Sequence, residues 1–490
     1  MNIAKKEKAY QIALVLLSIT GVLFQGLYSG FTSTIFLLLL SLLLIMKADK
    51  TSVMTLAVIA LGFALSMLLA KDIKGISEIS KILILFATMF VVKEKDKQNL
   101  LKGLYLGCFC ASFLGVIAHF FNIASYELIR SINGTKIIQS VFGYANTMAV
   151  FSGIGIILSI YYIRKSKNYA FVNEVICGTN ILCLIFTCSK LGIASLVFAV
   201  IVALCIKHPK IIKWIMIAFL LGILSVILLF VIGKEDIIIG STLACRLIYW
   251  NDALKVIISH PFGIGIDNWQ NIQYEVQSAA YSVKYVHNGF LQLGLDGGLI
   301  VLFGVLFLIG KGFFDIIIKY KNTKEDLYLY LLSILTLIVV HGFVDIDFAY
   351  GSIWLAMGIV LCFVNDGEFK INKIAFSILP ICLLITILSV PMQRENQAEK
   401  YSMQYSIAMK NNYYNDMYEI SKEWISFAPR QQAAYDAYYL SLTRLNKSDE
   451  IIALRKKVSE TNKTMNYMCK YLSEHKEIIL PTGGKTNENN

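Results

Sequence analysis

The sequence predicts an all-α protein, a polytopic bundle of about 12 or 13 transmembrane helices followed by a helical domain outside the membrane. The 490-residue chain is 57% hydrophobic and only 16% charged, whereas soluble proteins are about 25% charged. Apolar stretches near the roughly 20-residue length of a bilayer span recur from Tyr10 to Val390. Because a helix satisfies its own backbone hydrogen bonds in lipid, these stretches predict helices.

The candidate spans follow one another closely along the chain. The first apolar run, Gln11–Leu27, has no small-residue cleavage site and further spans follow at once, so we interpret it as a span and not as a signal peptide. The predicted spans are residues 10–28, 31–46, 53–70, 77–92, 100–121, 144–163, 170–187, 190–206, 211–232, 287–310, 327–344, 348–364 and 373–391.

Lysines in alternate loops predict the orientation in the membrane. The formal net charge is +12, and clusters such as "KEKDK" (93–97) and "KYKNTK" (319–324) occupy every second loop. Cytoplasmic loops hold the positive charge, so the N-terminus is predicted inside and the C-terminal domain outside the cytoplasmic membrane. The outer loop 71–81, with three lysines, departs from this pattern. This distribution indicates topology in a lipid bilayer, and no nucleic-acid partner is expected.

The predicted domain limits follow the change in polarity. Residues 1–391 form the membrane domain, including a long outer loop at 233–285, and residues 481–490 are predicted to be disordered. Residues 392–480 form the extracytoplasmic helical domain. Its two arms, Ala398–Phe427 and Gln431–Leu445, are separated by Pro429 and resemble a tetratricopeptide-like hairpin. A plain helical cap is the alternative.

Several ionisable residues fall beside spans on the predicted outer face, where such residues are candidates for function. They are Lys190 in "TCSKLG", Arg246 in "CRLIYWNDAL", His287 at the start of the tenth span, and His341, Asp345 and Asp347 in "HGFVDIDFAYG". Two cations near a histidine suit a diphosphate leaving group and a base for an attacking hydroxyl. Because no ATP is available outside the cell, the pattern predicts glycosyl transfer from a lipid diphosphate.

Each of these residues also has a purely structural interpretation. His287 would be an interfacial residue, Arg246 a solvated loop charge, and Lys190 a side chain that extends to the interface. Asp345 and Asp347 are too few for a closed metal site, so no metal and no cofactor are expected. Asp345 would instead orient a cation or His341. The neighbours of the two cations, Cys188 and Cys245, would allow an outer-face disulfide.

The motifs and their order resemble the O-antigen ligase and O-antigen polymerase superfamily of bacterial surface polysaccharide assembly. The resemblance spans roughly residues 140–365. The stretches that carry it are "FGYANTMAVF" (142–151), "TCSKLGIASL" (187–196), "CRLIYWNDALKVIISHPFGIGIDNW" (245–269), "HNGFLQLGLDGG" (287–298) and "HGFVDIDFAYGSIW" (341–354). The third stretch resembles the family pattern of an Arg, then a Trp, then a helix that ends in a His-Pro and a Gly-x-Gly turn.

The resemblance implies a metal-independent, inverting membrane glycosyltransferase that uses an undecaprenyl diphosphate-linked glycan as donor. By the same resemblance, His287 and Arg246 are catalytic, His287 as the base and Arg246 on the diphosphate. Lys190 would also bind the diphosphate, although Arg is usual at its position. The resemblance and the chemistry together place substrate-binding roles on Asn288, Asn146, His341, Asp345 and Trp250.

The acceptor stays open at this point, because a ligase and a polymerase share the same chemistry. It is a glycan, a lipid or a protein, and a Lys- and Ile-rich composition favours capsule or cell wall polysaccharide. The C-terminal domain would bind polysaccharide-assembly proteins. A transporter or flippase of lipid-linked oligosaccharides is the alternative, but its polar groups would lie at the bilayer midplane in repeated halves. A sensor would need a cytoplasmic output domain, and none is evident.

Overall fold

The structure is a computed structural model that describes residues 3–44, 46–71, 74–121, 123, 128–132, 134–211, 241–276, 278–279, 281, 283–389, 391–427 and 432–461. The ninth predicted span (211–232, apart from its first residue), Pro429 and the predicted disordered tail lie outside the described residues.

Fourteen helices form the described membrane domain, and all of them except α9 and α10 coincide with the other twelve predicted spans. They are α1 (Ile3–Leu23), α2 (Gly30–Leu43), α3 (Lys50–Ala70), α4 (Ile79–Met89), α5 (Glu94–Phe120), α6 (Ala145–Lys165), α7 (Ala170–Phe186), α8 (Lys190–Lys207), α9 (Ser241–Ser259), α10 (Trp269–Val276), α11 (Gly289–Thr323), α12 (Leu327–Gly342), α13 (Gly351–Cys362) and α14 (Lys373–Ser389). The all-α polytopic membrane fold is thereby confirmed.

Not every predicted span is long enough to cross a bilayer alone. Within the described ranges, six helices are long and apolar enough: α3, α5, α6, α8, α11 and the segment Lys167–Phe186 that contains α7. The helices α2, α12 and α13 and the segment Phe376–Thr386 are apolar but shorter. Since a helix rises 1.5 Å per residue, a 12-residue helix such as α13 covers only about 18 Å. The count of 12 or 13 spans and the orientation stay predictions.

The structure adds detail to two parts of the predicted fold. The long outer loop contains the helices α9 and α10, which hydropathy missed because they carry too many polar residues for a span. Ala253, Val256 and Ile257 of α9 are nevertheless buried, so α9 packs as an amphipathic helix. The structure also contains two small antiparallel pairs: β1 (Lys47–Ala48) with β4 (Phe369–Lys370), and β2 (Ile129–Ile132) with β3 (Thr135–Ile138).

Helix pairs pack closely where glycines line their contact. In the main core, α1 packs against α5, α3 against α11, α4 against α13, and α8 against α12. On α5, a Cβ atom at Gly103 would lie 2.6 Å from the carbonyl oxygen of Val15 on α1. Small residues at a helix contact let the two helix backbones approach each other closely in a membrane.

The helix α11 is broken at Gly298, and the predicted His-Pro-x-Gly-x-Gly turn docks into the break. Gly298 has φ 73° and ψ −173°, a conformation that is essentially restricted to glycine. Leu299 N donates to the carbonyl oxygen of Pro261 (2.8 Å), and Ile264 N donates to that of Leu295 (2.8 Å). The turn after α9 therefore connects with α11 on both sides of Gly298.

Replacing Gly298 by Ala should lower the free energy of unfolding by roughly 3 kcal/mol or more, from backbone strain and overpacking together. A Cβ atom there would lie 2.4 Å from the carbonyl carbon of Phe262, which is backbone and cannot move aside. The measurement is thermal unfolding in detergent. Gly310→Ala on the same helix is the control, because its Cβ would meet nothing within 4 Å. Equal melting temperatures for the two variants would contradict the prediction.

The C-terminal domain is built from paired helices around its own small core. The helices are α15 (Pro391–Lys410), α16 (Tyr414–Phe427), α17 (Gln432–Arg444) and α18 (Ser448–Thr461). Trp424 and Met417 are buried in this core, and Tyr405 donates to the carbonyl oxygen of Ala437 (2.8 Å). The predicted arm Ala398–Phe427 is two helices, because a turn at Asn412, with φ 56°, divides it. The domain limits and the tetratricopeptide-like character stay predictions.

Candidate functional site

Asp345, in the short segment between α12 and α13, joins several of the predicted residues. Its carboxylate is fully buried and accepts three hydrogen bonds from other segments: Arg246 Nη2 (3.0 Å), Asn146 Nδ2 (2.6 Å) and Tyr144 Oη (2.7 Å). Asn146 and Tyr144 stand at the N-terminal end of α6. The loop after α12, the start of α6 and the helix α9 thus meet at one carboxylate.

The helix α9 presents Arg246 and Trp250 on adjacent turns. The Arg246 side chain is only 7% exposed, and its Nη1 donates to the carbonyl oxygen of Val344 (2.6 Å) beside its ion pair with Asp345. Such pairing is what a buried charge requires. Trp250 Nε1 donates to the carbonyl oxygen of His287 (3.2 Å). The helix therefore fixes both the guanidinium and the backbone of the histidine.

His287 lies directly before α11 and faces the same carboxylate. Its Nδ1 is 3.4 Å from Asp345 Oδ1, and about a quarter of its side chain (26%) is exposed. Its φ of 51° lies in the left-handed region, uncommon for a side chain of this kind. Asn288 caps α11, because its Oδ1 accepts from the backbone N–H groups of Phe290 and Leu291 (3.1 and 3.0 Å). The cap and Trp250 hold the imidazole at the edge of the cluster.

The electrostatic surroundings keep Asp345 ionised. Burial opposes the charge, but the hydrogen bond with His287 and the positive charge of Arg246 outweigh it and hold the pKa of this carboxyl well below its usual range. An ionised Asp345 accepts a hydrogen bond from Nδ1–H of His287, so Nε2 is the ring nitrogen left for an incoming hydroxyl. Asp345 thus orients both a cation and a histidine, but the histidine is His287 and not His341.

His341 and Asp347 form a second, fully buried pair behind the cluster. His341 Nδ1 hydrogen-bonds with Asp347, whose other oxygen accepts from Thr147 Oγ1 (3.0 Å). His341 is 0% exposed, and no described residue hydrogen-bonds to its Nε2. Its burial places it out of direct reach of a substrate in this structure.

Lys190 makes none of the recorded contacts of this cluster. It is the first residue of α8, after a turn capped by Ser189, and it is exposed. None of the hydrogen bonds that the structure records around Asp345 includes it. Cys188 and Cys245 are both free and exposed, and they form no disulfide with each other.

Sequence reasoning missed Tyr144 and Asp252, although both lie inside motifs that it singled out. Asp252 on α9 is fully buried, and its Oδ2 accepts from Ser278 N (2.7 Å), Ser278 Oγ (3.0 Å) and Tyr281 Oη (3.0 Å). Burial opposes its charge, but these bonds and the one from Lys255 lower its pKa. Asp252 thereby holds the segment that leads to His287. The feature of the sequence that could have indicated Asp252 was a carboxylate two residues after Trp250.

The described parts of the chain contain no group of three or more His, Cys, Asp or Glu side chains arranged to hold a metal ion. This finding does not test metal independence, which stays a prediction.

The model of a protein family described as O-antigen ligase matches residues 175–306. The matched segment contains Lys190, Arg246, Trp250, His287 and Asn288. No curated protein matches the chain. The match confirms the resemblance to the O-antigen ligase and polymerase superfamily over this segment, and it supports a multi-pass membrane enzyme of ligase or polymerase type.

Proposed function

We propose that the chain is a glycosyltransferase that moves a glycan from undecaprenyl diphosphate to an acceptor at the outer face of the cytoplasmic membrane. The observation that carries this proposal is the convergence on Asp345. Arg246 and His287 lie 99 and 58 residues from it in sequence, and both contact its carboxylate. A fixed cation beside a partly exposed histidine suits a leaving diphosphate and an attacking hydroxyl.

The proposed reaction is a single displacement. An acceptor hydroxyl oxygen attacks the anomeric carbon of the donor sugar, and its proton passes to Nε2 of His287. The bond from that carbon to the diphosphate oxygen breaks, and undecaprenyl diphosphate leaves with the electron pair. One displacement inverts the anomeric configuration. The ionised Asp345 stabilises the imidazolium that forms, as the carboxylate does in other His–Asp pairs.

Arg246 would stabilise the leaving diphosphate. Its guanidinium has five N–H donors. Nη1 donates to the carbonyl oxygen of Val344, and Nη2 donates to Asp345. The donors left over can contact phosphate oxygens while the ion pair with Asp345 fixes the plane of the group. In this proposal Asn146 and Tyr144 position Asp345 and do not contact the substrate themselves.

The role of Lys190 on the diphosphate rests on the resemblance. We expect Lys190→Ala to raise the KM for the lipid-linked donor by up to about fivefold, because an exposed ion pair contributes about 1 kcal/mol or less. Lys190→Arg should retain or lower this KM, since Arg adds a bidentate fork. The measurement is steady-state transfer over a range of donor concentrations. An unchanged donor KM in Lys190→Ala would remove this residue from the diphosphate site.

Two experiments test the proposed function. In proteoliposomes that contain the full chain and the lipid-linked glycan, free undecaprenyl diphosphate should appear in step with the product, and EDTA should leave the rate unchanged. Donor that is translocated without cleavage would indicate a flippase instead. In a strain that lacks the protein, single repeats on the final acceptor would identify a polymerase. Free polymer on its lipid carrier would identify a ligase.

A further inference from the structure

A pocket lies directly beside the polar cluster, and the mechanism leaves it unused. Its lining includes Asn288 and Gly289, which follow His287, and Ile346, which follows Asp345. The space that it encloses, together with its opening to solvent, is about 540 Å³. Arg246 is not among the lining residues. The pocket therefore adjoins the base and its carboxylate, but not the cation for the leaving group.

Two carboxylates in the pocket are fixed by the protein and keep one oxygen each for a ligand. Asp296 Oδ1 accepts from Gln292 Nε2 (2.9 Å) and from Asp267 N (3.2 Å). One oxygen of Glu78 pairs with the buried Lys81, whose Nζ also donates to the carbonyl oxygen of Ala349 (2.7 Å). In the part of the chain that the structure describes, no hydrogen bond is recorded to Asp296 Oδ2 or to Glu78 Oε1.

Aromatic side chains supply part of the remaining wall. Tyr285, Phe348 and Trp354 line the pocket, and Trp354 is fixed because its Nε1 donates to the carbonyl oxygen of Phe348 (2.9 Å). Carboxyl oxygens hydrogen-bond with hydroxyl groups, and aromatic surfaces cover apolar C–H surface. Apolar walls with a few fixed carboxylates and amides suit a neutral, hydroxyl-rich ligand such as a sugar.

We infer that this pocket is the acceptor subsite and that it holds a neutral sugar at the end of an acceptor glycan. The inference rests on the proposed function and narrows its acceptor from glycan, lipid or protein to glycan. Arg246 does not line the pocket, and Lys81, which does, is already paired with Glu78, so the donor's diphosphate is better bound on the other side, at Arg246. A sugar here would lie next to His287, where its hydroxyl can lose a proton. Asp296 and Glu78 are then specificity-determining residues.

The test uses Asp296→Asn, which preserves the shape of the side chain and replaces one carboxyl oxygen by an amide nitrogen. The donor is the lipid-linked glycan from a strain that lacks the protein, and the acceptor is the same glycan freed from its lipid diphosphate. In proteoliposomes, the acceptor KM should rise about tenfold, since a hydrogen bond from the sugar to the carboxyl oxygen is lost. The donor KM and inhibition by inorganic pyrophosphate should not change. Asp315→Asn, on the same helix but paired with Lys311 away from this pocket, should match the unmodified protein.

Each outcome decides the inference. A raised donor KM with an unchanged acceptor KM would assign the pocket to the donor and overturn it, as would unchanged kinetics in a folded variant. If Asp296→Asn does not fold, Gln292→Ala is measured in the same way, because Gln292 lines the same pocket and contacts Asp296. If the unmodified protein is active and Asp296→Asn has unaltered kinetics, only this inference is overturned. No cleavage of the donor by the unmodified protein overturns the proposed function itself.

Discussion

Replacing His287 by Ala should slow glycan transfer by about 10²–10⁴-fold, the range expected when a general base is removed. The donor KM should change little, because the histidine acts on the acceptor hydroxyl while Arg246 and its ion pair with Asp345 stay in place. The measurement is transfer in proteoliposomes, with accumulation of lipid-linked donor in cells as a second observation.

The matched control is His208→Ala, at an exposed histidine directly after α8. It should transfer glycan at the unmodified rate. Normal polysaccharide and normal transfer in the His287→Ala protein would remove His287 from catalysis, whatever else the cluster does.

Asp345→Ala should be the most damaging substitution in the cluster, lowering both activity and stability. It leaves the Arg246 guanidinium buried without its carboxylate, and breaking a buried pair in this way costs roughly 3–5 kcal/mol. It also frees the His287 ring and removes the acceptor for Asn146 and Tyr144. We expect a clear fall in melting temperature together with loss of transfer. Asp366 is the control, because its side chain is 78% exposed and pairs with Lys319 near the surface. Asp366→Ala should leave the melting temperature nearly unchanged.

The same carboxylate predicts a pH dependence. Because the pKa of Asp345 is held below its usual range in the folded protein, its ionised form contributes stability above the unfolded pKa of about 3.9. That contribution is lost as the pH falls through the depressed folded value. The unmodified protein should therefore lose melting temperature on acidification below about pH 4, and Asp345→Asn should lack this component. Identical acid profiles for the two proteins would contradict the ion pair as a source of stability.

The sequence predicted the membrane helices well because long apolar runs depend only on local composition. It also identified Arg246, His287 and Asp345, since ionisable groups beside spans are conspicuous. It did not predict that Asp345 is the shared partner, because that contact joins segments 99 and 58 residues apart and has no local pattern. The helix α9 has the hydropathy of a loop, because its polar residues are satisfied by distant groups, and only the resemblance indicated a helix there.

The break in α11 has a mechanical consequence. The segment Gly289–Gly297 carries the cap next to His287, and the longer segment runs from Gly298 to Thr323 within the same candidate span. Transmembrane helices adapt to bilayer thickness by tilting. The turn at Pro261–Gly265 bonds to α11 on both sides of Gly298 and, through Gly265 N and Ser66 Oγ (3.0 Å), to α3. Because these bonds tie the two sides of the break together, a tilt of the longer segment would be passed on to the turn, to α3 and to the segment beside His287.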